Sequence, residues 1–169
     1  LGDFNDGKDA QNASHCALTP ELSNAFGGSA EPCKVPKKDA PIDHVYGTNL
    51  TGSYSDSSDY RLVAGPYDLS SLRHTELRFA RWLRSEPGFD IARVQVRLGA
   101  TGAWNTVWEG FGRDSSWVPV RLDVASLVDN EADVYVRFQL TSDVGTVDAG
   151  FYVDDLSFCG EETPGIGGK

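Results

Sequence analysis

Methionine is absent from this 169-residue sequence, and cysteine and histidine occur only three times each. His15, His44 and His74 stand far apart and none lies in a His-Glu-x-x-His motif, so the zinc site of a metallopeptidase is not encoded here. No apolar run approaches the roughly 18 residues that a membrane-spanning helix needs. We therefore predict a domain without metallopeptidase chemistry and without membrane insertion.

Basic residues are also few, since 15 Lys and Arg stand against 25 Asp and Glu and give a formal net charge of −10. Proteins that bind nucleic acid normally present a basic patch or stripe to the phosphate backbone, so nucleic acid is excluded as a predicted partner. A strongly acidic chain favours solubility and contact with divalent cations instead.

Helical periodicity is nearly missing, whereas strand alternation is clear. In residues 92–98 and 134–140 apolar side chains alternate with polar ones, the pattern of half-buried antiparallel strands. A Gly-Ala-Thr-Gly turn at 99–102 leads into 103–108 and predicts a hairpin, and Pro119 indicates an edge strand. About eight strands with short turns and no long helix predict an all-β fold, an antiparallel β-sandwich of the jelly-roll type.

The length suits one domain, whose folding can bury roughly 70% of the surface of the unfolded chain. We predict a single jelly-roll domain over residues 1–160. Within it, residues 11–43 are rich in Gly and Pro turns and predict an irregular covering loop, and residues 161–169 predict a flexible tail or linker.

The cysteine count is odd. Outside the cell, one pair would be oxidised and the third cysteine left free or bonded to another chain. Cys159 follows the last predicted strand and could reach Cys16 or Cys33, but the short spacing between the latter two also suits a local bond. We favour a disulfide between Cys16 and Cys33.

Two adjacent carboxylates, Asp154 and Asp155, interrupt a strand-forming apolar segment near the end of the chain. The apolar residues of that segment are Phe151, Val153, Leu156 and Phe158. Charge on a probable core strand has to be neutralised, and a metal ion is the simplest means. Because successive strand residues point to opposite faces, we expect only one of the two carboxylates to be a direct ligand.

An oxygen-rich segment also opens the chain, where Asp3, Asn5 and Asp6 surround a turn-permitting glycine, Gly7. Such a composition is typical of calcium loops, but the glycine comes one place too early for an EF-hand loop and the distal Glu is missing. Taken alone, this segment fits a solvated turn better than a metal site.

Two further sets of residues are weaker candidates. Asn49, Asp56 and Asp59 form a candidate second oxygen cluster, for which ordinary turn chemistry is the simpler explanation. Trp104 and Trp108 are candidate glycan contacts, because an even spacing along a strand would place both rings on one face. Core packing is the alternative explanation for these tryptophans.

Four motifs in order carry a resemblance to a known family. They are Tyr46–Tyr54 (YGTNLTGSY), Gly65–Ser70 (GPYDLS), Phe79–Trp82 (FARW) and Gly150–Ser157 (GFYVDDLS). Together they resemble the MAM-like jelly-roll domains of secreted bacterial metalloproteases of the immune inhibitor A type and of other bacterial surface proteins. The opening segment is similar to the first strand of related calcium-binding jelly rolls, which usually has a glutamate where Asn5 stands.

The resemblance implies a non-catalytic accessory module with a structural calcium ion. It also implies that the first and last strands lie side by side, which would bring Asp3, Asn5 and Asp6 to Asp154 and Asp155. The predicted module is part of a larger secreted or cell-surface protein. Its predicted partners are neighbouring domains, another surface protein or a glycan, and its predicted role is adhesion. The alternative function is that of a lectin-like carbohydrate-binding module that uses surface tryptophans.

Overall fold

The computed structural model describes residues 45–163 in full and, before them, the strand pairing of residues 2–3, 5–6 and 33–34. Expectations for the rest of the covering loop over 11–43 and for residues 164–169 lie outside the described residues.

Strands make up nearly all of the regular structure. The strands are Gly2–Asp3 (β1), Asn5–Asp6 (β2), Cys33–Lys34 (β3), Tyr46–Gly47 (β4), Asp59–Tyr67 (β5), Leu72–Arg84 (β6), Ile91–Leu98 (β7), Asn105–Gly110 (β8), Val118–Asp123 (β9), Val134–Thr141 (β10) and Gly150–Glu162 (β11). The one helix of the described part is a single turn, Ala125–Val128 (α1). No helix in that part has the length and apolar character that a membrane span requires.

The strands form two sheets. One has five strands in the order β1-β5-β10-β7-β8, and the other has six, in the order β2-β4-β11-β6-β9 with β3 also paired to β11. All pairs are antiparallel except β1 with β5. The eight strands from β4 to β11 follow jelly-roll order, in which consecutive strands change sheet except at the β7–β8 hairpin. The predicted all-β jelly-roll sandwich is confirmed, as are the β7–β8 hairpin and the edge position of the strand that contains Pro119.

The core lies between the two sheets and is built by strand alternation. The inward side chains of β10 are fully buried: Val134, Val136, Phe138 and Leu140. Phe138 contacts Phe79 and Phe151 of the other sheet edge to face, with ring centroids 5.0 and 5.9 Å apart. These contacts fix the two sheets face to face.

The last strand changes sides partway along. Val153 and Phe158 are both buried in the core, although their odd spacing would place them on opposite faces of a regular strand. A shift in the pairing of β11 with β6 between Asp154 and Ser157 resolves this conflict, and Asp155 there has a positive φ of 52°. The two acidic residues therefore lie at a β-bulge.

The N-terminal segment contributes to both sheets. Gly2–Asp3 pairs with β5 in the five-stranded sheet, whereas Asn5–Asp6 pairs with β4 in the six-stranded sheet. The chain therefore crosses from one sheet to the other between Asp3 and Asn5. At the opposite end, β11 continues to Glu162, so Glu161 and Glu162 of the predicted tail belong to the last strand.

Candidate binding face

The outer face of the five-stranded sheet carries an unusual set of side chains. On this face we group the residues of β5, β10, β7 and β8 that point away from the other sheet. The polar and aromatic members are Asp59, Arg61, Arg93, Gln95, Arg97, Trp104, Thr106, Glu109, Tyr135, Arg137, Gln139 and Thr141. They alternate with the buried core residues of the same strands, so the fold places them together on one surface.

Trp104 lies at the centre of a stack of rings and guanidinium groups. The guanidinium carbons of Arg97 and Arg137 both lie 4.5 Å from the centroid of the Trp104 ring. Arg97 also lies 4.9 Å from the centroid of the Tyr135 ring. Because a guanidinium attracted to an aromatic face is held in position, the stack fixes four side chains relative to one another.

Gln95 connects this stack to the edge strand. Its Oε1 accepts a hydrogen bond of 2.8 Å from Nε of Arg137, and its Nε2 donates a bond of 3.0 Å to Oγ1 of Thr106. The side chain is nearly buried, with 8% of Gln95 exposed. Both polar atoms of the Gln95 amide are therefore hydrogen-bonded to neighbouring side chains, and the amide orients Arg137.

Two other arginines of the face are neutralised by carboxylates. Arg61 pairs with Asp59, which also accepts a bond of 2.7 Å from Gln139. Burial opposes ionisation of Asp59, but the bonds from Arg61 and Gln139 and the nearby positive charges outweigh it, so the pKa of Asp59 is lowered. Arg93 lies 3.1 Å from Glu109.

Arg97 and Arg137 have no carboxylate partner among the described residues. Nε of Arg97 is buried and lacks a hydrogen-bond acceptor within the same part of the chain. Burial and the charges of Arg61 and Arg97 lower the pKa of Arg137, although Asp59 acts in the opposite direction. The centre of the face therefore carries two guanidinium groups without a direct carboxylate partner in the described part of an acidic protein.

Trp104 and Trp108 do not share a face, so this prediction was wrong. The pairing of β7 with β8 shifts, with Val94 opposite Trp108 and Gln95 opposite Thr106. Val107 is the extra residue of this bulge and reverses the alternation. As a result, Trp108 packs against the core, and Arg81 of the other sheet lies 5.2 Å from its ring centroid.

The candidate second oxygen cluster is not assembled. Oδ1 of Asn49 accepts bonds from the backbone and the hydroxyl of Thr51, while its amide donates to the carbonyl of Ser53. Asp59 is paired with Arg61 on the outer face, and Asp56 is exposed. Turn chemistry, the simpler explanation, accounts for these contacts of Asn49.

Asp154 and Asp155 are close together but differ in environment. Oδ1 of Asp154 accepts a bond of 2.7 Å from the backbone N–H of Asp155. Solvent reaches part of the Asp155 side chain, yet the burial of its carboxyl group raises the pKa of Asp155. No positive side chain among the described residues offsets this burial.

The strand pairing shows how near the backbone of the N-terminal candidate residues comes to Asp154 and Asp155. Asp6 lies opposite Tyr46, which lies opposite Val153, the residue before Asp154. Two ladder steps separate β2 from β11, about 10 Å. β2 and β11 therefore flank β4 and do not pair with each other directly. Asp3 is part of β1, which belongs to the other sheet. The side chains of Asp3, Asn5 and Asp6 lie outside the described residues.

A group of carboxylates that the sequence did not indicate lies at one end of the sandwich. Oxygen atoms of Glu86, Asp90 and Asp143 lie within 4.8 Å of one another. Asp90 is fully buried, and its oxygens accept hydrogen bonds from the Tyr54 hydroxyl and, at 3.0 Å, from the Asp143 backbone N–H. Burial and the bond to Asp90 raise the pKa of Tyr54. These protein donors give the buried carboxylate a structural role in tying three loops together.

Strand pairing brings two of the three cysteines together. Cys33 of β3 lies directly opposite Cys159 of β11 in an antiparallel pair. The Cα atoms of such a pair are about 4.5 to 5.5 Å apart, within the range that a disulfide spans. The side chains of Cys16 and Cys33 lie outside the described residues, so the predicted local bond is not tested.

The fold and this face together define a jelly-roll β-sandwich domain with a polar and aromatic surface on one sheet. No model of a known protein family matches the chain, so the MAM-like assignment stays a prediction. The chain is 31% identical over 125 residues to bacillopeptidase F of Bacillus subtilis (strain 168). That match covers 74% of this chain but 9% of bacillopeptidase F.

Two solved structures are similar in fold. The cleaved K2 adhesin domain of Lys-gingipain matches with 15% identity and a TM-score of 0.42, over 69% of this chain and 72% of that one. A non-crystalline cellulose-specific carbohydrate-binding module, CBM28, matches with 15% identity and a TM-score of 0.47, over 72% of this chain and 77% of that one. Likeness at this level carries no information about the ligand of this chain.

Proposed function

We propose that this chain is a non-catalytic binding module of a larger extracellular protein, and that it binds a surface glycan through the outer face of its five-stranded sheet. The observation that carries this proposal is the stack of Tyr135, Arg97, Trp104 and Arg137 with its support from Gln95. Of the two functions predicted from sequence, the carbohydrate-binding alternative fits this face better than adhesion to a protein.

The stack is suited to binding because its side chains are already ordered. Immobilising a flexible side chain costs roughly 0.5 to 1.5 kcal/mol on association, and side chains held by stacking and hydrogen bonds avoid most of that cost. Trp, Tyr and Arg are also the residues that contribute most to binding sites. The guanidinium donors beside the rings can bond to the hydroxyl groups of a sugar chain.

The extracellular assignment has two supports. The similarity to part of bacillopeptidase F, a peptidase by name, agrees with an accessory domain of a longer protein. The facing positions of Cys33 and Cys159 favour a disulfide between them, in place of the expected Cys16–Cys33 bond, and structural disulfides persist in oxidising compartments.

A structural calcium ion at the β11 bulge is part of the proposal. The donors would be Asp155 and Asp154 with oxygen atoms of the N-terminal segment, Asp3, Asn5 and Asp6. The described residues fit such a site, because Asp155 carries a carboxylate that is partly desolvated without a positive neighbour. Between the residues paired with β4 and those paired with β3, this edge of β11 has no strand partner in the described part. A bound calcium ion would neutralise the carboxylates at the bulge and hold the N-terminal segment beside β11.

Retention on polysaccharides tests the binding function. We expect the wild-type protein to be retarded in native gels that contain at least one polysaccharide of a panel spanning neutral and acidic chains. The Trp104→Ala variant should lose the retardation, because the ring holds both guanidinium groups. The matched control is Trp82→Ala, which removes a tryptophan that stacks on Tyr152 in the opposite sheet. Absence of retardation in every gel, or equal loss in both variants, would refute the proposal.

A further inference from the structure

The distribution of charge on the outer face narrows the class of ligand. The chain has a net charge of −10, so a surface patch of positive charge is exceptional in it. The face carries four arginines, of which Arg61 and Arg93 are paired with Asp59 and Glu109. The other two, Arg97 and Arg137, lie on the same indole ring and are not paired with a carboxylate within the described residues.

Two unpaired guanidinium groups at such close quarters repel each other. Their attraction to the face of the Trp104 ring offsets part of that repulsion. An anion that bridges the two arginines would relieve this repulsion.

The geometry points to a glycan that carries carboxylate groups, and we propose that this face binds uronic acid residues through Arg97 and Arg137. This inference rests on the proposed binding function and specifies its ligand. A guanidinium group binds a carboxylate in a planar, bidentate manner, which a neutral hydroxyl group does not reproduce. Guanidinium groups already lie over the Trp104 ring, so recognition depends on their donors more than on stacking of sugar against the indole.

The remaining charges disfavour other anions. A dense polyphosphate or polysulfate would meet the repulsion of a net charge of −10 outside the patch, whereas isolated carboxylates would contact only the two arginines. An acidic peptide usually docks along a sheet edge or in a groove, and the centre of a sheet face presents neither. The face spans three strand spacings from β5 to β8, about 14 Å, which suits a short stretch of a sugar chain.

A matched pair of probes tests the inference, a short oligomer of galacturonic acid and the same oligomer with its carboxyl groups methyl-esterified. We expect the acid to bind about ten to a hundred times more tightly than the ester in titration calorimetry, the range that loss of a charged hydrogen bond predicts. Added salt should weaken binding of the acid and leave the ester unaffected.

Variants locate the site. Arg97→Gln and Arg137→Gln should each reduce affinity for the acid by about tenfold or more, and Arg137→Lys should retain part of it. Arg93→Gln is the control on the same face, because Arg93 is paired with Glu109, and it should change affinity by less than about threefold. The melting temperature of each variant shows whether it is folded. If a glutamine variant is unfolded, the affinity of Arg137→Lys for the acid decides whether the guanidinium group is needed.

The outcomes separate the inference from the function on which it rests. Equal binding of acid and ester, lost in Trp104→Ala, would overturn the inference and leave the binding function standing. Retention of the acid by both glutamine variants would also overturn it. If neither oligomer binds and no polysaccharide of the panel is retained, the binding function itself fails.

Discussion

Trp104 and Trp108 are four residues apart along one edge of the five-stranded sheet, yet they lie on opposite faces of it. Val107 is the additional residue that reverses the alternation between them. One ring therefore packs against the core while the other holds two arginines on the surface. A single inserted residue thus separates a structural tryptophan from one that is available for binding.

The two tryptophans should differ in their effect on stability. Trp108→Ala removes a ring that packs on the core and supports Arg81, so we expect the free energy of unfolding to fall by about 2 kcal/mol. Trp104→Ala removes surface contacts only and should cost about 1 kcal/mol. Urea denaturation of both variants measures the difference, and a larger loss for Trp104→Ala would contradict the assignment of faces.

Asp155→Asn should have opposite effects with and without calcium. The folded protein raises the pKa of Asp155, so this carboxyl group favours folding most when it is protonated. Stability falls as the pH rises from the unfolded to the folded pKa, and above the folded pKa the ionised carboxylate opposes folding. In a chelator at pH 7 the variant should therefore melt at a higher temperature than the wild type. In excess calcium the wild type should gain a stabilisation that the variant lacks. Thermal melts under both conditions test this, with Asp154→Asn as the companion variant.

The proposed calcium site would be contradicted by a wild-type melting temperature that is the same in calcium and in chelator. In that case, groups of the protein alone would compensate the carboxylates at the bulge. The binding function of the outer face would stand, because Asp154 and Asp155 lie in the other sheet from Arg97, Trp104 and Arg137.

Asp148 should make stability depend on pH in the acid range. Burial disfavours its ionised form, but hydrogen bonds from Arg84 and from the backbone of Ala149 lower its pKa below the unfolded value. A carboxyl group with a lowered folded pKa stabilises the fold above its unfolded pKa, about 3.9, and loses that contribution as the pH falls through the folded pKa. Asp148→Asn should lower the melting temperature at pH 7 and flatten its decline below about pH 4.

The control for this pH dependence is Asp56→Asn, at an exposed position of the turn before β5. Melting curves from pH 2 to pH 7 should be nearly unchanged for this variant. A decline that is as steep in Asp148→Asn as in the wild type would show that other carboxyl groups cause it.

Gly150 should not tolerate a side chain. A Cβ atom there would lie 1.9 Å from Oγ1 of Thr48, and φ is 112°, a region that L-residues with side chains rarely adopt. Gly150→Ala should therefore cost at least about 2 kcal/mol. Gly99→Ala is the matched control, because φ is 68° but nothing lies within 4 Å of the added atom, and backbone strain of about 1 kcal/mol is expected. Similar losses in both variants would show that strain, not contact with Thr48, is responsible.

The cysteine arrangement is open to direct measurement. We expect mass spectrometry of the oxidised, unreduced protein to find one free thiol, at Cys16, and a digest fragment that joins Cys33 to Cys159. Such a bond would tie β3 to β11 and close a long loop, so Cys33→Ser should lower stability by about 2 kcal/mol or more. A fragment that joins Cys16 to Cys33 would restore the pairing that the sequence favoured.

Much of the sandwich could be predicted because two of its inner strands, β7 and β10, are regular. Every second residue of 92–98 and 134–140 is apolar and, apart from Leu98 at the end of β7, buried, so this spacing reports directly which face meets the core. The bulge in β11 also had a sequence signal, since Val153 and Phe158 are both apolar at an odd spacing. The metal site is predicted from the adjacent carboxylates Asp154 and Asp155, and the odd spacing of the two apolar residues did not enter that prediction. The bulge at Val107 had no comparable signal, because Trp is compatible with either face.

Local sequence therefore determined the strands, the hairpin, the acidic pair and the excess of negative charge, all of which depend on neighbouring residues or on composition. Only the tertiary structure decided which charges meet. Arg97, Trp104 and Arg137 lie on or beside three strands, and the jelly-roll pairing of β7 with both β8 and β10 brings them together. No local pattern contains that information, because the pairing of distant strands is selected by burial of the whole core.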